Sequence, residues 1–313
     1  MSDLRKQIRE QLKRSKSLAG VSYDNRNDFY FKNVEDGIFQ HRMSVNHALM
    51  FDKGSGSELK DKNNSLAKAK AIDSSSMLSY NFFHWVSDEF PLELFGNKYT
   101  QVFFEVRLKT IKCSNTPANI DVVLIDNEFK HVLFVESKFL EYLKTEKADF
   151  SKSYSNESNY FSGNQNIGKL IRLVDDYRDK SGHYYGGIKQ NICHLIALSN
   201  LKDKSAIKYA KEKNSELAQI FNADVEYKFI NLIYEPEPCE EKPKKKYDDY
   251  ISLLEEFKGN LSNDLKSLLT DKGISMSYSY LYKEEFEKTN SSNLPKGLLK
   301  YLRDRYICCS NQE

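Results

Sequence analysis

The sequence predicts an α/β fold: a mixed central sheet flanked by helices, with helical extensions at its N- and C-terminal ends. Three observations carry this. Two apolar runs, 120–125 and 131–135, flank a polar stretch at 126–130, the pattern of a buried hairpin. Amphipathic segments of helical period alternate with short apolar runs along the rest of the chain, as expected where helices cover the faces of a sheet. The composition, 40% hydrophobic and 29% charged over 313 residues, describes a soluble globular chain able to bury a core without disulfides.

The elements follow in order. Residues 2–18 read as an amphipathic helix, 20–51 as mixed and turn-rich, and 54–64, with Gly-Ser-Gly-Ser and Asp-Lys-Asn-Asn, as a mobile loop. Apolar positions recur at helical spacing over 65–86, with a break at 74–76. Pro91 and Gly96 close that region. Residues 101–111 form the first long strand and the hairpin follows. The Ser, Asn and Tyr stretch 151–164 is a loop. Ile167, Leu170, Ile171, Val174 and Tyr177 make one stripe of a helix over 165–178, and 181–187 turns. The apolar run 191–199 is read as a strand, 202–221 as a helix with a basic face, and 224–234 as the last strand. Residues 235–246, with three prolines and a Lys-Pro-Lys-Lys-Lys run, read as a linker before helices at 247–269 and 294–306. The expected division is an N-terminal extension (1–64), a core (65–235) and a linker with a helical C-terminal segment (236–313).

Several classes are excluded at this level. No run approaches membrane-spanning length and the N-terminus lacks a signal-peptide core. The basic periodic start resembles a transit peptide, but Asp3 and Glu10 argue against one. Cys113, Cys193, Cys239, Cys308 and Cys309 form no C-x-x-C pair and have no zinc spacing with histidine; the odd count suits a reducing cytoplasm. A net charge of +2 does not by itself select a nucleic acid as partner.

The chemistry concentrates in the hairpin. With the turn centred at Glu128 and Phe129, antiparallel pairing sets Asp121 opposite Glu136, on one face. Side chains alternate along a strand, so Lys138 shares that face and Ser137 points away. Two hard oxygen ligands and an ammonium then gather at one end of two buried strands. They suit a Mg²⁺ or Mn²⁺ ion and an activated water directed at a phosphodiester. Read alone, Glu136 and Lys138 would be a surface ion pair worth little. Glu105 is a charge inside the apolar strand Phe103-Phe104-Glu105-Val106-Arg107; its simplest partner is Arg107 on the same face. Asp126 reads as a turn residue. The six histidines are dispersed; His84 beside Trp85 and His194 in its apolar run read as packed.

At these residues the chain resembles a known superfamily. Asp121, Glu136, Ser137 and Lys138 are similar to the D…(D/E)-x-K signature of the PD-(D/E)xK nucleases, with Ile120 where a proline usually stands. More narrowly, residues 75–83, Glu105-Val106-Arg107-Leu108 and Glu136-Ser137-Lys138-Phe139 resemble a family of predicted bacterial restriction endonucleases, over residues 66–234. The resemblance implies a restriction-endonuclease-like sheet and a Mg²⁺- or Mn²⁺-dependent endonuclease acting on DNA, of restriction or defence type. It implies Asp121, Glu136 and Lys138 as catalytic residues, with Glu105 as a further acid at the metal. It also implies Gln165 beside the site, at the start of its helix, with Lys169 one turn on. Lys208 and Lys211, on the basic helix, are either a solvated face or a surface tracking phosphates. Cutting both strands with one site per chain leads to the expectation of a homodimer. The alternatives are a repair nuclease or ribonuclease of the same fold, or a non-catalytic DNA-binding module; the intact Asp121, Glu136 and Lys138 weigh against the last.

Overall fold

The apolar runs form the expected centre. In the computed structural model, β1 (Leu92–Leu94), β2 (Asn97–Leu108), β3 (Ala118–Asp126), β4 (His131–Lys138), β5 (Glu226–Ile233) and β6 (Ser275–Ser277) lie in one six-stranded sheet in that order. The first four strands pair antiparallel, while β5 runs parallel to β4 and β6 parallel to β5, so the sheet is mixed. The structure describes residues 2–15, 18, 20–54, 58–62, 65–143, 145–146, 150–162, 164, 166–181, 184–185, 187–222, 224–236 and 241–307.

Val122, Val123, Leu124 and Ile125 of β3 are all fully buried, as are Leu133 and Phe134 of β4. Successive residues point to opposite faces, so burial of all four on β3 means that both faces of the hairpin are covered. Each such side chain contributes roughly 1.5–3 kcal/mol relative to exposure. One cover is α3 (Ser75–Phe83), whose first turn is capped by the Ser74 hydroxyl accepting the N–H of Met77. The other is α5 (Ile188–Ser199). Ahead of α3 lie α1 (Ser2–Arg14), which buries Leu4, Ile8 and Leu12 at a spacing of four, and α2 (Val45–Lys53). Before and after α5 come α4 (Asn166–Ser181) and α6 (Lys204–Lys213), and the connection from β4 to β5 carries all three helices. The C-terminal part supplies α7 (Glu241–Gly259), the strand β6 and α8 (Leu298–Tyr306).

Several expectations are corrected. The run 191–199 is not a strand but the body of α5. Asn191, Ile192, His194, Leu195, Ile196, Ala197 and Leu198 are all buried, and only Cys193 and Ser199 of the run are half-buried, so the run offers no exposed polar stripe from which its period could be read. The C-terminal segment is not wholly helical: β6 extends the sheet beside β5. The basic helix over 202–221 is shorter, ending at Lys213, and continues as a 3₁₀ stretch over Ser215–Ile220. Residues 241–246 of the expected linker form the first turns of α7, where Pro243 at the third position lacks only an N–H that has no intrahelical partner, and 237–240 lie outside the described residues.

Candidate active site

The hairpin register sets the site. Val122 pairs with Val135 and Ile125 with Val132, a register centred between Glu128 and Phe129. Continued by one step, it puts Asp121 opposite Glu136. On the other side, Phe104 pairs with Val122 and Val106 with Ile120, which puts Glu105 opposite Asp121. Three carboxylates from β2, β3 and β4 therefore stand in one row across the sheet. In β4 the next strand pairs Glu136 with Asn231, so the row continues in β5 with a buried amide. At the far end of the hairpin, Asp126 accepts the N–H of Lys130 at 2.8 Å and lies 2.7 Å from His131 Nδ1, a turn residue as expected.

The row opens into a cleft of about 450 Å³ lined by Glu58, Lys68, Ser75, Ser76, Glu105, Asp121, Glu136, Lys138 and Gln190, with Arg5 and Tyr30 on its outer wall. Asp121 Oδ2 accepts the backbone N–H of Ser137 at 2.7 Å, which ties β3 to β4 where their ladder ends. Glu136 is 1% exposed and Lys138 5%. Lys138 Nζ donates to Glu136 Oε1, and to Gln190 Oε1 at 2.8 Å. Glu136 Oε2 lies 2.8 Å from His194 Nε2. Because Ser137 points the other way, its hydroxyl donates to the carbonyl of Ser75 at 3.0 Å and lies 2.6 Å from the hydroxyl of Tyr278. The central triplet is thus held from both faces: by α5 through Glu136 and Lys138, and by α3 and the C-terminal segment through Ser137. Tyr250 of α7 adds to the first face, its hydroxyl and the Lys138 stem both crowding Gly187, where a Cβ would come within 2.9 Å of one and 3.1 Å of the other.

Electrostatics separate the carboxylates. Burial would raise Glu136, but the Lys138 ammonium and His194 outweigh it and hold this acid below its usual range. Burial also opposes the charge on Lys138, yet Glu136, Glu141 and Asp121 raise it, so it is a fixed cation. Asp121 is pushed well above the carboxylate range by burial and then by Glu136, against the pull of Lys138. Glu105 is pushed up to about 8 by burial, then by Glu58 and Glu136. It also takes a positive φ of 55° in the middle of β2, a backbone region that costs a non-glycine residue roughly 1 kcal/mol or more. Arg107 is not its ion-pair partner; that guanidinium donates to the carbonyl of Gly54 at 2.5 Å.

This donor set fits a hard divalent cation. The carboxyls of Asp121 and Glu105 are pushed upward by burial and then by neighbouring carboxylates, and a cation in the cleft would oppose both. Among the described residues no group of three or more His, Cys, Asp or Glu side chains is placed to hold a metal ion, and both oxygens of Glu136 are engaged, one by Lys138 and one by His194.

Of the residues expected here, Asp121, Glu136, Lys138 and Glu105 share the cleft. Gln165 lies outside the described residues. Lys169 does not join them: it is exposed on α4 and lines grooves away from the carboxylates. Lys208 and Lys211 of α6 also lie outside the cleft, Lys208 within 3.8 Å of Glu212 and Lys211 donating to Asn222. The sequence reading missed Gln190 and His194, hidden by the strand assignment of α5. It also missed Glu58, which accepts from Lys68 at 3.0 Å and from Ser76 at 3.1 Å. Gln190 and His194 stand four apart, a helical spacing that would have placed both on one face.

No protein-family model, curated protein or solved structure matches the chain. Among the described residues no helix is long and apolar enough to cross a membrane.

Proposed function

We propose that the chain is a metal-dependent nuclease that hydrolyses phosphodiester bonds in DNA, of restriction or defence type. The observation that carries this reading is the row Glu105, Asp121, Glu136 with Lys138, opening into one cleft at the end of buried strands. Asp121 and Glu136, with Glu105 beside them, would hold Mg²⁺ or Mn²⁺, which when bound supplies a Lewis acid and a more acidic water. Lys138, held as an ammonium, offers positive charge to the phosphate oxygens as negative charge develops on them; its raised pKa makes it a poor proton acceptor. Gln190 accepts a second hydrogen bond from Lys138 Nζ and so helps fix the ammonium. Ser137 contributes its N–H to orient Asp121, so its side chain is free to anchor the motif to the opposite face.

DNA as substrate rests on the resemblance at Asp121, Glu136 and Lys138. The test is nicking of supercoiled plasmid by the full chain with Mg²⁺ or with EDTA, for wild type and Asp121→Ala, beside a parallel assay on RNA. Mg²⁺-dependent nicking lost in Asp121→Ala supports the reading. Equal cleavage in EDTA, or none under any condition, defeats it, and cleavage confined to RNA moves the substrate to the ribonuclease alternative.

A further inference from the structure

His194 is a buried side chain with one hydrogen bond, and that bond is to the candidate metal ligand Glu136. The ring sits on α5, is 1% exposed, and packs against Phe229 with ring centres 5.7 Å apart. Its Nε2 lies 2.8 Å from Glu136 Oε2, while Nδ1 is buried with no hydrogen-bond partner among the described residues. A histidine placed only to fill space would be expected to satisfy both nitrogens or to turn them outward. Here the one satisfied nitrogen reaches the carboxylate from behind, on the oxygen that Lys138 does not take. A carboxylate can only accept, so against it Nε2 is the donor.

We propose that His194 is a positioning residue: it fixes Glu136 by one oxygen so that the carboxylate is presented to the cleft in a single orientation. The inference rests on the metal-dependent reading of the cleft. Glu136 hangs from β4 by a flexible stem, and without an outer partner Lys138 would be free to draw both oxygens to itself. With Oε2 retained by His194, the carboxylate plane is set by two donors on different elements, a strand and a helix. Partners of this kind behind a metal ligand typically change metal affinity by about 10–100-fold when removed.

The test is direct titration of the full chain with Mn²⁺ alone, with free ion followed by electron paramagnetic resonance, for wild type, His194→Ala, His194→Gln and His194→Asn. A glutamine amide reaches the position of Nε2 and can donate to Glu136; an asparagine amide is too short. The expected result is Mn²⁺ binding by wild type, about 10–100-fold weaker in His194→Ala and His194→Asn, and restored to within about threefold in His194→Gln. Thermal unfolding identifies any variant that fails to fold. If His194→Ala does, the comparison of glutamine with asparagine decides, both being polar and similar in size. Wild-type binding that is unchanged in His194→Ala, or equal in the glutamine and asparagine variants, overturns the positioning role and leaves the metal site standing. No Mn²⁺ binding by wild type overturns both.

Discussion

Glu105 and Asp121 make the metal-free protein less stable as pH rises, and Glu105→Gln tests the effect. Glu105 is raised from an ordinary value of 4.5 to about 8, chiefly by burial and then by Glu58 and Glu136. A carboxyl raised in the folded state holds its proton more tightly there than in the unfolded chain. Its favourable contribution is therefore complete below the unfolded pKa and is lost as pH climbs through the folded one. The window runs from about pH 4.5 to about pH 8. At 1.36 kcal/mol per unit, a shift of this size sets a ceiling of roughly 5 kcal/mol. Glu105 keeps part of its surface in solvent, where screening weakens the effect, so about 2 kcal/mol is expected. For a chain of this length that corresponds to roughly 4 °C in Tm. The assay is thermal unfolding followed by circular dichroism, in EDTA, at pH 5 and pH 8. Glu105→Gln should unfold within about 1 °C of wild type at pH 5 and about 4 °C higher at pH 8. Mg²⁺ at pH 8 should raise the wild type and shrink the gap. His47 and His84, which burial lowers to about 4, act equally on both proteins and cancel in the difference, while Asp121, raised in part by Glu105, adds to the gap in the same direction. A gap that does not change between pH 5 and pH 8, or a variant less stable than wild type at pH 8, refutes the account.

Two further outcomes follow from the contacts of the E-x-K triplet. Lys138→Arg keeps the charge but replaces a compact ammonium with a planar fork in a space bounded by Gln190, Gly187 and Tyr250. Plasmid nicking should fall by roughly 100-fold or more, and Lys138→Ala with full activity would show that the cation is not used. Tyr278→Phe removes the hydroxyl beside Ser137 and should lower stability by about 1 kcal/mol in urea unfolding while Mn²⁺ affinity stays unchanged; a loss of affinity would mean that the opposite face reaches the metal site.

The hairpin was legible because its register depends on local pattern. Two apolar runs and one polar turn place Asp121 against Glu136 without reference to any other part of the chain, and the pairing of Val122 with Val135 has that register. The adjacent strand was legible too, since Glu105 interrupts an otherwise apolar run. What distinguishes Glu105 in the fold, its positive φ and its place opposite Asp121, depends on pairing across strands. Helix α5 was not legible. A run with so few residues reaching the surface carries neither period, and the polar residues Lys189 and Gln190 that begin the helix fell outside the run. Glu58 was lost for a different reason. It lies in a segment whose glycines and serines read as a loop, and it reaches the cleft only through non-local contacts with Ser76 and Lys68.

The same distinction explains why the site is more than its motif. The E-x-K triplet alternates between two faces of β4, so each of its residues answers to a different part of the chain. Glu136 and Lys138 are held by His194 and Gln190 of α5, and Ser137 by Ser75 of α3 and Tyr278 of the C-terminal segment. A motif of three residues can be recognised from β4 alone. Whether its charges are exposed ion-pair partners or a desolvated cluster is decided by those other elements. Glu136 and Lys138 are nearly inaccessible, and Asp121 and Glu105 are driven towards the protonated form, because helices from both sides of the sequence close over the strand ends. A surface ion pair would show neither property. The desolvation that makes Asp121 and Glu105 costly as empty carboxylates is what would make a bound cation favourable there, so stability without metal and affinity for metal should move in opposite directions when either of these two is neutralised; Glu136, paired with Lys138, should lose both.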